Sequence, residues 1–467
     1  MRHYYSAQQI RDAEAPLLAS LPDGKLMRRA AFGLATAIMR ELGTVSGKSV
    51  CAVVGSGDNG GDALWAATFL RRRGAGASAV LLDPSRAHPA ALAAFRRAGG
   101  RIVEKVPPAT DLVIDGVVGI GATGPLRAAA AAVFAGTDAP VVAVDVPSGV
   151  DVATGAADRP HVTAAVTVTF GGLKPVHALG PCGHVELVDI GLQLPEADIR
   201  GFEAADVAAR WPLPGRSDDK YSQGVTGVMA GSATYPGAAI LCTGAAVAAH
   251  SGMVRYAGTA AAEVVSHWPE VIATKDLQRA GRVQAWVVGP GLGTDSDGEA
   301  ALAFALDTDL PVLVDADGLT ILAARPDLIE GREAPTVLTP HAGEFARLAG
   351  GPPGEDRVAA ARGLADRLGA TVLLKGNVTV VAEPGGPVYL NVAGQAWAAT
   401  AGSGDVLSGV IGALLAAGLP PAEAAAAAAF VHARAADLAA HDPGPAPAPT
   451  SASRILAHLR TALGSIL

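Results

Sequence analysis

Short apolar segments that end in glycine or aspartate and lead into helical spacing recur along this chain of 467 residues. Residues 48–54 form one such segment, residues 55–62 are rich in glycine and aspartate, and residues 63–73 have helical spacing. A strand, a glycine turn and a helix in that order are typical of a parallel sheet covered by helices. The sequence therefore predicts an α/β fold, and its length suits two or three domains.

The composition argues against several classes of protein. The net charge is −8 and there is no long basic run, so we expect no nucleic-acid partner. Cys51, Cys182 and Cys242 lie far apart in the sequence, which argues against a disulfide framework and against a zinc site. The chain has no uninterrupted apolar span of about 20 residues. We therefore expect a soluble, cytoplasmic protein with no membrane partner.

Three strand ends in the first half carry side chains with oxygen atoms. Asn59 lies in the turn after the first predicted strand, and Asp115 follows the apolar residues 112–114. Asp145 and Ser148 follow a third apolar segment, residues 141–144. Because ligands of open α/β sheets bind outside the carboxyl ends of the strands, we expect these side chains to converge on one crevice. Oxygen ligands without histidine or cysteine favour a hard cation. The alternative is three separate strand-end caps.

The first glycine turn also fits a different class of enzyme. Gly55, Gly57 and Gly60 match the GxGxxG pattern between a strand and a helix, and Asp83 ends the next strand. This pattern is typical of dinucleotide-binding dehydrogenases, although the pattern alone is weak. Lys174, in a later glycine turn, is interpreted as a solvated lysine, with phosphate contact as the alternative.

The second half is organised around residues 399–410. Gly402 and Gly404 flank Ser403, Asp405 follows at once, and the apolar residues after it have helical spacing. Glycines at a helix N-terminus offer free N–H groups to an anion. A carboxylate beside such a site suits phosphoryl transfer, in which a base accepts the proton of the attacking hydroxyl. The alternative is a glycine turn in which Asp405 caps the helix.

Other strand ends in the second half complete the pattern. After a composition change over residues 195–224, strands end at residues 289–293, 315–318, 339–344 and 375–379. Lys375 stands at the last of these ends, where a lysine can meet a nucleotide phosphate. The GxxxxGK[ST] pattern of P-loop proteins is absent from the sequence. We place the domain boundary near residue 205.

The motifs of the first half, over most of residues 1–200, resemble those of NAD(P)H-hydrate epimerases. The resemblance implies a Rossmann-like three-layer α/β/α domain at residues 1–205. It also implies a potassium ion held by Asn59, Asp115 and Ser148, and proton transfer by Asp145. The residues that it implies for binding the hydrated dinucleotide are Asp58, Asn59, Gly60, Gly61, Asp62, Gly119, Ile120, Gly121, Ala122, Thr123, Gly124, Pro125 and Asp145.

Six ordered motifs of the second half resemble those of ADP- or ATP-dependent NAD(P)H-hydrate dehydratases. The resemblance implies a ribokinase-like α/β domain at residues 206–467, with Asp405 as the catalytic base. It implies that Ala238, Gly291, His341 and Asp405 contact the hydrated nicotinamide nucleotide. The residues that it implies for the adenine nucleotide are Lys375, Gly376, Asn377, Val378, Thr379 and Gly404.

Together the two resemblances imply a bifunctional enzyme that repairs hydrated NADH and NADPH. One activity would interconvert the R and S hydrates. The other would dehydrate the S hydrate with ADP or ATP as phosphoryl donor and Mg²⁺ as cofactor, releasing phosphate and AMP or ADP. We also expect a homo-oligomer. The alternatives are a vitamin or sugar kinase fused to a dinucleotide-binding domain, and a dehydrogenase in the first half.

Four positions depart from the residues usual in these two families. They are Asp58 and Ala63 in the first half, and Gln395 and Ala401 in the second. Ala401 stands where glycine is usual. We expect Ala401 to weaken the nucleotide site if the backbone there requires a positive φ, because an L side chain is strained in that conformation.

Overall fold

The computed structural model describes residues 1–121, 124–157, 160–249 and 252–467. The chain forms two compact units, an N-terminal unit of His3–Asp198 and a C-terminal unit of Met1–Arg2 with Ile199–Leu467. The chain enters the C-terminal unit at Ile199 because Ile199–Gly201 is a strand that pairs with Val388–Val392. The functional boundary expected near residue 205 stays a prediction.

The N-terminal unit is built on a parallel sheet whose central strands are almost wholly buried, as expected for a sheet covered on both faces. In sheet order the strands are Arg101–Val103, Gly76–Leu81, Ser49–Val54, Leu112–Gly116, Val141–Val144, Val166–Phe170 and His184–Val188, and every pair is parallel. The elements in chain order are β1 (Arg2–Tyr4, which begins in the C-terminal unit), α1 (Ala7–Ser20), α2 (Lys25–Leu42), β2 (Ser49–Val54), α3 (Asp58–Arg72), β3 (Gly76–Leu81), α4 (Pro89–Arg97), β4 (Arg101–Val103), β5 (Leu112–Gly116), α5 (Ala128–Ala135), β6 (Val141–Val144), β7 (Val166–Phe170), α6 (Val176–Leu179) and β8 (His184–Val188).

The first glycine turn is shorter than the sequence predicts. Helix α3 begins at Asp58, whereas the sequence predicts that it begins at Ala63. Gly57 has a φ of 105°, a conformation that L side chains rarely adopt, and this residue turns the chain directly into the helix. Residues 58–62 therefore lie in the first turns of α3, where the free N–H groups of a helix are found.

The C-terminal unit contains a sheet of eleven strands with a parallel centre. The elements of this unit are β9 (Ile199–Gly201), α7 (Ala204–Arg210), β10 (Val225–Met229), α8 (Pro236–Ala249), β11 (Met253–Ala257), α9 (Ala261–His267), β12 (Ile272–Thr274), β13 (Ala285–Val288), α10 (Ser296–Leu306), β14 (Val312–Val314), α11 (Asp317–Ala324), β15 (Thr336–Leu338), α12 (Ala342–Ala349), α13 (Arg357–Leu368), β16 (Thr371–Leu374), β17 (Val378–Ala382), β18 (Val388–Val392), α14 (Ser403–Ala416), α15 (Pro421–His441) and α16 (Ala452–Gly464), with 3₁₀ turns at Leu277–Arg279 and Pro326–Leu328. The strand order in the sheet is β1, β9, β18, β17, β16, β15, β14, β13, β10, β11 and β12, and β17 is antiparallel to both β16 and β18.

Small residues allow the helices of the C-terminal unit to pack closely. Helix α14 is buried along most of its length against α8, and α15 buries a run of alanines. A Cβ atom added to Gly409 of α14 would lie 2.2 Å from the backbone oxygen of Cys242 in α8. The two helices are therefore in near backbone contact, which fixes the position of the α14 N-terminus. No helix of the described residues is long and apolar enough to cross a membrane.

We predict opposite effects of one substitution at two helical glycines. Gly409→Ala should lower the free energy of unfolding of the C-terminal unit by about 1–3 kcal/mol, because the methyl group overpacks the interface between α14 and α8. Gly363→Ala, at an exposed position of α13 with nothing near its added Cβ, should raise that free energy by up to about 1 kcal/mol. Urea unfolding followed by tryptophan fluorescence measures both. A neutral Gly409→Ala would contradict the packing described above.

Candidate active sites

The N-terminal unit has a cavity of about 890 Å³ beside the carboxyl ends of its central strands. Three arginines line it, Arg11, Arg86 and Arg127, and none of them was predicted from the sequence to be a site residue. Guanidinium groups suit a ligand with phosphate groups. The cavity wall includes nine of the residues expected at the hydrated dinucleotide, namely Asp58, Asn59, Asp62, Gly119, Ile120, Gly121, Gly124, Pro125 and Asp145.

The other expected residues of this unit do not line the cavity, or cannot be placed. Gly60 and Gly61 are buried inside the first turns of α3, and an added Cβ on Gly60 would lie 2.4 Å from the Gly55 oxygen. These two glycines therefore allow close packing rather than providing a surface. Ala122 and Thr123 lie outside the described residues.

A buried ion pair defines the floor of the cavity. The Lys174 ammonium donates to Oδ1 of Asp145 at 2.5 Å and to Oγ1 of Thr169 at 2.8 Å. Thr169 donates to the same carboxylate oxygen at 2.9 Å. Burial opposes ionisation of Asp145, but the charge and hydrogen bond of Lys174 outweigh it and hold the pKa of this carboxyl below its usual value. Asp145 is therefore ionised at neutral pH.

The interpretation of Lys174 as a solvated lysine is wrong. Its side chain is 1% exposed, and both Lys174 and Asp145 line the cavity. The charged group is tolerated in the interior because the carboxylate and the threonine satisfy its hydrogen bonds. Thr169 and His177, which complete the surroundings of Asp145, were also missed. The alternation of threonine and valine along β7 is the only sequence signal for Thr169, and it does not extend to His177.

A second carboxyl group in the cavity has the opposite electrostatic behaviour. Asp62 is 8% exposed, and its Oδ1 atom is buried without a hydrogen-bond partner among the described residues. Burial, followed by the negative charges of Asp145, Asp58 and Glu14, raises the pKa of Asp62 well above its usual value. The cavity thus contains one carboxyl group whose pKa is lowered and one whose pKa is raised. Groups of this kind suit proton transfer in both directions.

The three residues expected to bind potassium share one hydrogen-bond network. Ser148 donates its hydroxyl to Oδ1 of Asp115 at 2.7 Å and its N–H to Oδ2 at 2.8 Å. The Val118 N–H donates to the Ser148 hydroxyl, and the Val118 oxygen accepts from the Asn59 amide at 2.6 Å. Burial raises the pKa of Asp115 to about 6. A fully buried carboxyl with a raised pKa and surrounding oxygen atoms is compatible with a hard cation.

Asp405 lies in the first turn of α14, the last helix before a long alanine-rich helix. Gly402 precedes this helix with a φ of 84°. The N–H groups of Ser403 and Val406 donate to backbone oxygens, whereas those of Gly404 and Asp405 make no hydrogen bond within the described residues. Two free N–H groups at a helix N-terminus, next to a carboxyl group, form a site for an anion.

A second ion pair, between a buried aspartate and a partly buried lysine, lies beside this anion site. Lys375 donates to Oδ1 of Asp315 at 2.7 Å, and Ser408 of α14 donates to Oδ2 at 2.8 Å. A Cβ added to Gly404 would lie 3.5 Å from the Lys375 ammonium, so the ammonium and the start of α14 are neighbours. Burial, and then the charge of Asp315, raises the pKa of Asp405 to about 7. Asp405 is therefore poised to accept a proton near neutral pH.

His341 connects a further strand end to the same region. It precedes α12, and its Nδ1 atom accepts hydrogen bonds from the N–H groups of Gly343 and Glu344. Glu344 in turn accepts from the His341 N–H at 2.8 Å and lies 3.7 Å from the Lys375 ammonium. The ring is 57% exposed, so its outer edge remains accessible. His341 is a helix cap and can also contact a ligand.

The remaining expected residues of the C-terminal unit form two groups. Ala238 and Gly291 are neighbours, because a Cβ added to Gly291 would lie 2.7 Å from the Ala238 methyl. The nearby Gly293 N–H donates to Asp317, whose charge contributes to the raised pKa of Asp405.

The expected nucleotide residues after Lys375 lie at the turn into β17. Gly376 and Asn377 are exposed, Thr379 is half-buried, and Val378 is buried. A Cβ on Gly376 would lie 2.4 Å from the Arg357 guanidinium. This cation was not predicted from the sequence.

Two departures from the family patterns are accommodated without strain. Among the described residues, the non-glycine residues with a positive φ are Asp145 and Ala316, so Ala401 is not strained. The Ala63 methyl is fully buried beside Gly116, where an added Cβ would lie 2.4 Å from it. Gln395 is exposed.

We predict that removing the Lys174 ammonium destabilises the N-terminal unit. Lys174→Met should cost about 3–5 kcal/mol, because it leaves the Asp145 carboxylate buried and unpaired. Lys48→Met is the matched control, since its pair with Asp111 is partly exposed and solvent screens it. Hydrogen exchange of the amides in β6 and β7 measures the local loss. Equal protection in the two variants would contradict a stabilising role for Lys174.

Comparisons with known proteins agree with this division of sites. A family model described as NAD(P)H-hydrate dehydratase matches residues 226–458. A second family model, described as YjeF-related protein N-terminus, matches residues 23–176. The two matches cover the residues that form the ion pairs of the two units. Each unit is therefore matched by a family model.

Solved structures support the fold of the C-terminal unit. An ADP/ATP-dependent NAD(P)H-hydrate dehydratase from Bacillus subtilis, co-crystallised with ATP and Mg²⁺, is 27% identical, with a TM-score of 0.51 over 57% of this chain and 99% of that one. A ribokinase-like superfamily protein from Enterococcus faecalis is 23% identical, with a TM-score of 0.52 over 59% of this chain and 98% of that one. The expected ribokinase-like α/β fold is confirmed.

Curated relatives match the whole chain. Bifunctional NAD(P)H-hydrate repair enzymes of Mycobacterium leprae and Mycobacterium tuberculosis are 74% and 76% identical over 100% of this chain and of theirs. The enzyme of Corynebacterium glutamicum is 39% identical over 89% of this chain and 87% of its own length. With full-length identity at this level, the chain belongs to the family of bifunctional NAD(P)H-hydrate repair enzymes.

Proposed function

We propose that this chain converts hydrated NADH and NADPH back to the functional coenzymes by two activities. Residues 1–205 interconvert the R and S hydrates, and residues 206–467 dehydrate the S hydrate at the expense of ADP or ATP. The observation that carries the proposal is the pair of free N–H groups at Gly404 and Asp405, beside a carboxyl whose pKa is about 7. This arrangement combines an anion site with a base.

Dehydration needs a better leaving group than hydroxide. The hydrate has a hydroxyl on a ring carbon next to nitrogen, and phosphorylation of that oxygen makes it a good leaving group. Asp405 takes the hydroxyl proton, the N–H groups of Gly404 and Asp405 bind the transferring phosphoryl, and Lys375 offsets its charge. The ring nitrogen then expels phosphate to form an iminium, and loss of a proton from the neighbouring ring carbon restores the double bond of the reduced ring.

The same geometry suggests how substrate and nucleotide are arranged. Ala238, Gly291 and His341 would contact the hydrated ring, while exposed Gly376 and Asn377 would contact the adenine nucleotide, with Thr379 at the edge of that site. Val378 is buried, so it would contribute its backbone alone. These assignments explain why the strand ends near Asp405 combine glycines with the cations Lys375 and Arg357.

Mg²⁺ is proposed as the metal of the phosphoryl transfer. The described residues contain no group of three or more histidine, cysteine, aspartate or glutamate side chains that could hold a metal. Mg²⁺ is usually held by substrate phosphates, waters and one or two carboxylates, so the absence of such a group fits this ion. When bound, it would neutralise charge on the nucleotide phosphates.

Epimerisation is assigned to Asp145 in the cavity of the N-terminal unit. The ionised carboxylate takes the proton of the ring hydroxyl, the bond between the ring carbon and nitrogen opens, and the nitrogen receives a proton. Reclosure on the other face of the carbonyl gives the other epimer. The nine cavity residues expected at the hydrated dinucleotide, together with the arginines that line the cavity, would hold the rest of this substrate.

Potassium is proposed at Asn59, Asp115 and Ser148. The support is the fully buried Asp115 carboxyl and the oxygen atoms joined to it by hydrogen bonds. When bound, the ion would fix the Val118 backbone at the cavity wall. We also expect a cytoplasmic protein, since the three cysteines are free and buried and the substrate is an intracellular coenzyme. The expected homo-oligomer stays a prediction.

We predict that Asp405→Asn lowers the rate of dehydration of the S hydrate by about 10²–10⁴-fold, because it removes the base. The measurement follows NADH absorbance and released phosphate with mixed hydrates and ADP or ATP. The exposed Asp437→Asn is the control and should keep full activity. A product that retains the phosphate would instead identify a small-molecule kinase, and coenzyme oxidation without nucleotide would identify a dehydrogenase.

We predict separate behaviour for the other proposed base. Asp145→Asn should leave the S hydrate to be dehydrated at the normal rate and slow recovery of the R hydrate by about 10²–10⁴-fold, because only the R form depends on epimerisation. Equal rates for both hydrates in this variant, under conditions where spontaneous epimerisation is slow, would refute the assignment of Asp145.

The pH dependence of dehydration follows from the pKa of Asp405. Because that pKa is raised to about 7 and the base acts in its ionised form, kcat/KM should increase as the pH rises through about 7 and level off above it. The rate should fall about tenfold per pH unit well below the pKa. A profile that is flat from pH 5 to pH 8 would exclude Asp405 as the base.

A further inference from the structure

We propose that His177 is a positioning residue for epimerisation, whose ring holds the Asp145 backbone and the Lys174 backbone in their working arrangement. The inference rests on the proposed role of Asp145 in proton transfer. His177 does not line the cavity, so it acts through these two residues rather than on the substrate.

The backbone of Asp145 needs such support. Its φ is 67°, in the left-handed region that L side chains rarely adopt. Strained conformations persist where the surroundings fix them, and they are concentrated at functional sites. Asp145 lies between strand β6 and the turn that carries Ser148, and its side chain must point into the cavity while its carbonyl points away. A partner for that carbonyl is therefore a structural requirement.

His177 supplies this partner and a second contact. Its Nε2 atom lies 2.8 Å from the Asp145 carbonyl oxygen, and the Lys174 N–H donates to its Nδ1 atom at 2.9 Å. A backbone N–H can only donate and a carbonyl can only accept, so Nδ1 accepts and Nε2 carries the proton. Burial, and then the charge of Lys174, lowers the pKa of His177 to about 4, which keeps the ring neutral and both contacts intact.

One ring thus fixes the two backbone positions from which the reactive charges project. Oδ1 of Asp145 accepts from Lys174 and Thr169, and among the described residues no hydrogen bond reaches Oδ2. The ring therefore helps to present Oδ2 to the substrate and keeps the ammonium on the opposite oxygen. If the ring is lost, the carboxylate and the ammonium shift relative to each other.

The test compares two replacements in the full-length chain. His177→Leu removes both contacts, whereas the neutral amide of His177→Gln keeps one donor and one acceptor. His184→Leu is the matched control, since His184 is an exposed histidine on β8 of the same unit. Dehydration of the S hydrate by the same molecules reports whether the chain is folded and the other unit intact.

For His177→Leu we expect kcat for epimerisation to fall by about 10²-fold with little change in KM, as a small misplacement of a reacting group can cause. His177→Gln should recover most of the rate. The acid limb of the pH profile should move to higher pH in the leucine variant, because a looser contact with Lys174 raises the pKa of Asp145. Dehydration of the S hydrate and the His184→Leu variant should be unchanged.

Two results would overturn the proposal. One is a leucine variant with wild-type kcat and an unchanged acid limb. The other is a glutamine variant as impaired as the leucine variant, which would point to shape rather than hydrogen bonding. The titration of the Asp145 carboxyl by NMR decides the matter independently of activity: the proposal requires its pKa to rise in His177→Leu. If the wild-type chain does not epimerise at all, the proposed function fails, and the NMR titration still tests the role of His177.

Discussion

A pair of one buried aspartate and one lysine organises the candidate site in each unit. Asp145 pairs with Lys174 at 2.5 Å in the N-terminal unit, and Asp315 pairs with Lys375 at 2.7 Å in the C-terminal unit. Each aspartate follows a parallel strand, and each lysine comes from a different strand end. Breaking either pair would leave a buried charge without a partner, which is far more costly than losing an exposed ion pair. The strand ends are therefore held together by the charges that also surround the reactive groups.

The strand ends were predictable from the sequence, but the lysine partner of Asp145 was not. Asp145 directly follows an apolar strand, Asp405 follows two glycines at the start of an apolar helix, and both lie where those patterns place them. Lys174 was missed because a lysine in a glycine turn is usually solvated, and only the tertiary arrangement brings the Asp145 carboxylate to it. His177 was missed for the same reason, since its two contacts are with backbone groups, which carry no sequence signal.

The small residues of the chain have a positional role that composition alone does not reveal. An alanine-rich core was expected to pack closely, and the structure shows where this matters: Gly409 lets α14 approach the backbone of α8. The N-terminus of α14, with its free N–H groups, is thereby fixed beside the strand ends. Conversely, the extent of the first glycine turn was predicted wrongly, because helix α3 begins five residues earlier, at Asp58 rather than Ala63.

The proposed bases of the two units have pKa values shifted in opposite directions, and this difference fits the two reactions. Asp145 is the paired carboxylate, so its pKa is lowered, and the Lys174 ammonium and Asp62, a carboxyl whose pKa is raised, lie in the same cavity. Asp405 lies beside the pair of Asp315 and Lys375 without being part of it, and burial raises the pKa of Asp405 to about 7. Epimerisation runs in both directions and must return every proton that it removes, so it needs a base and acids together. Phosphoryl transfer to a hydroxyl removes a proton in one direction, so it needs one strong base that is still ionised near neutral pH. The two sites thus differ in chemistry because the proposed base is a member of the ion pair in the N-terminal unit and a neighbour of the ion pair in the C-terminal unit.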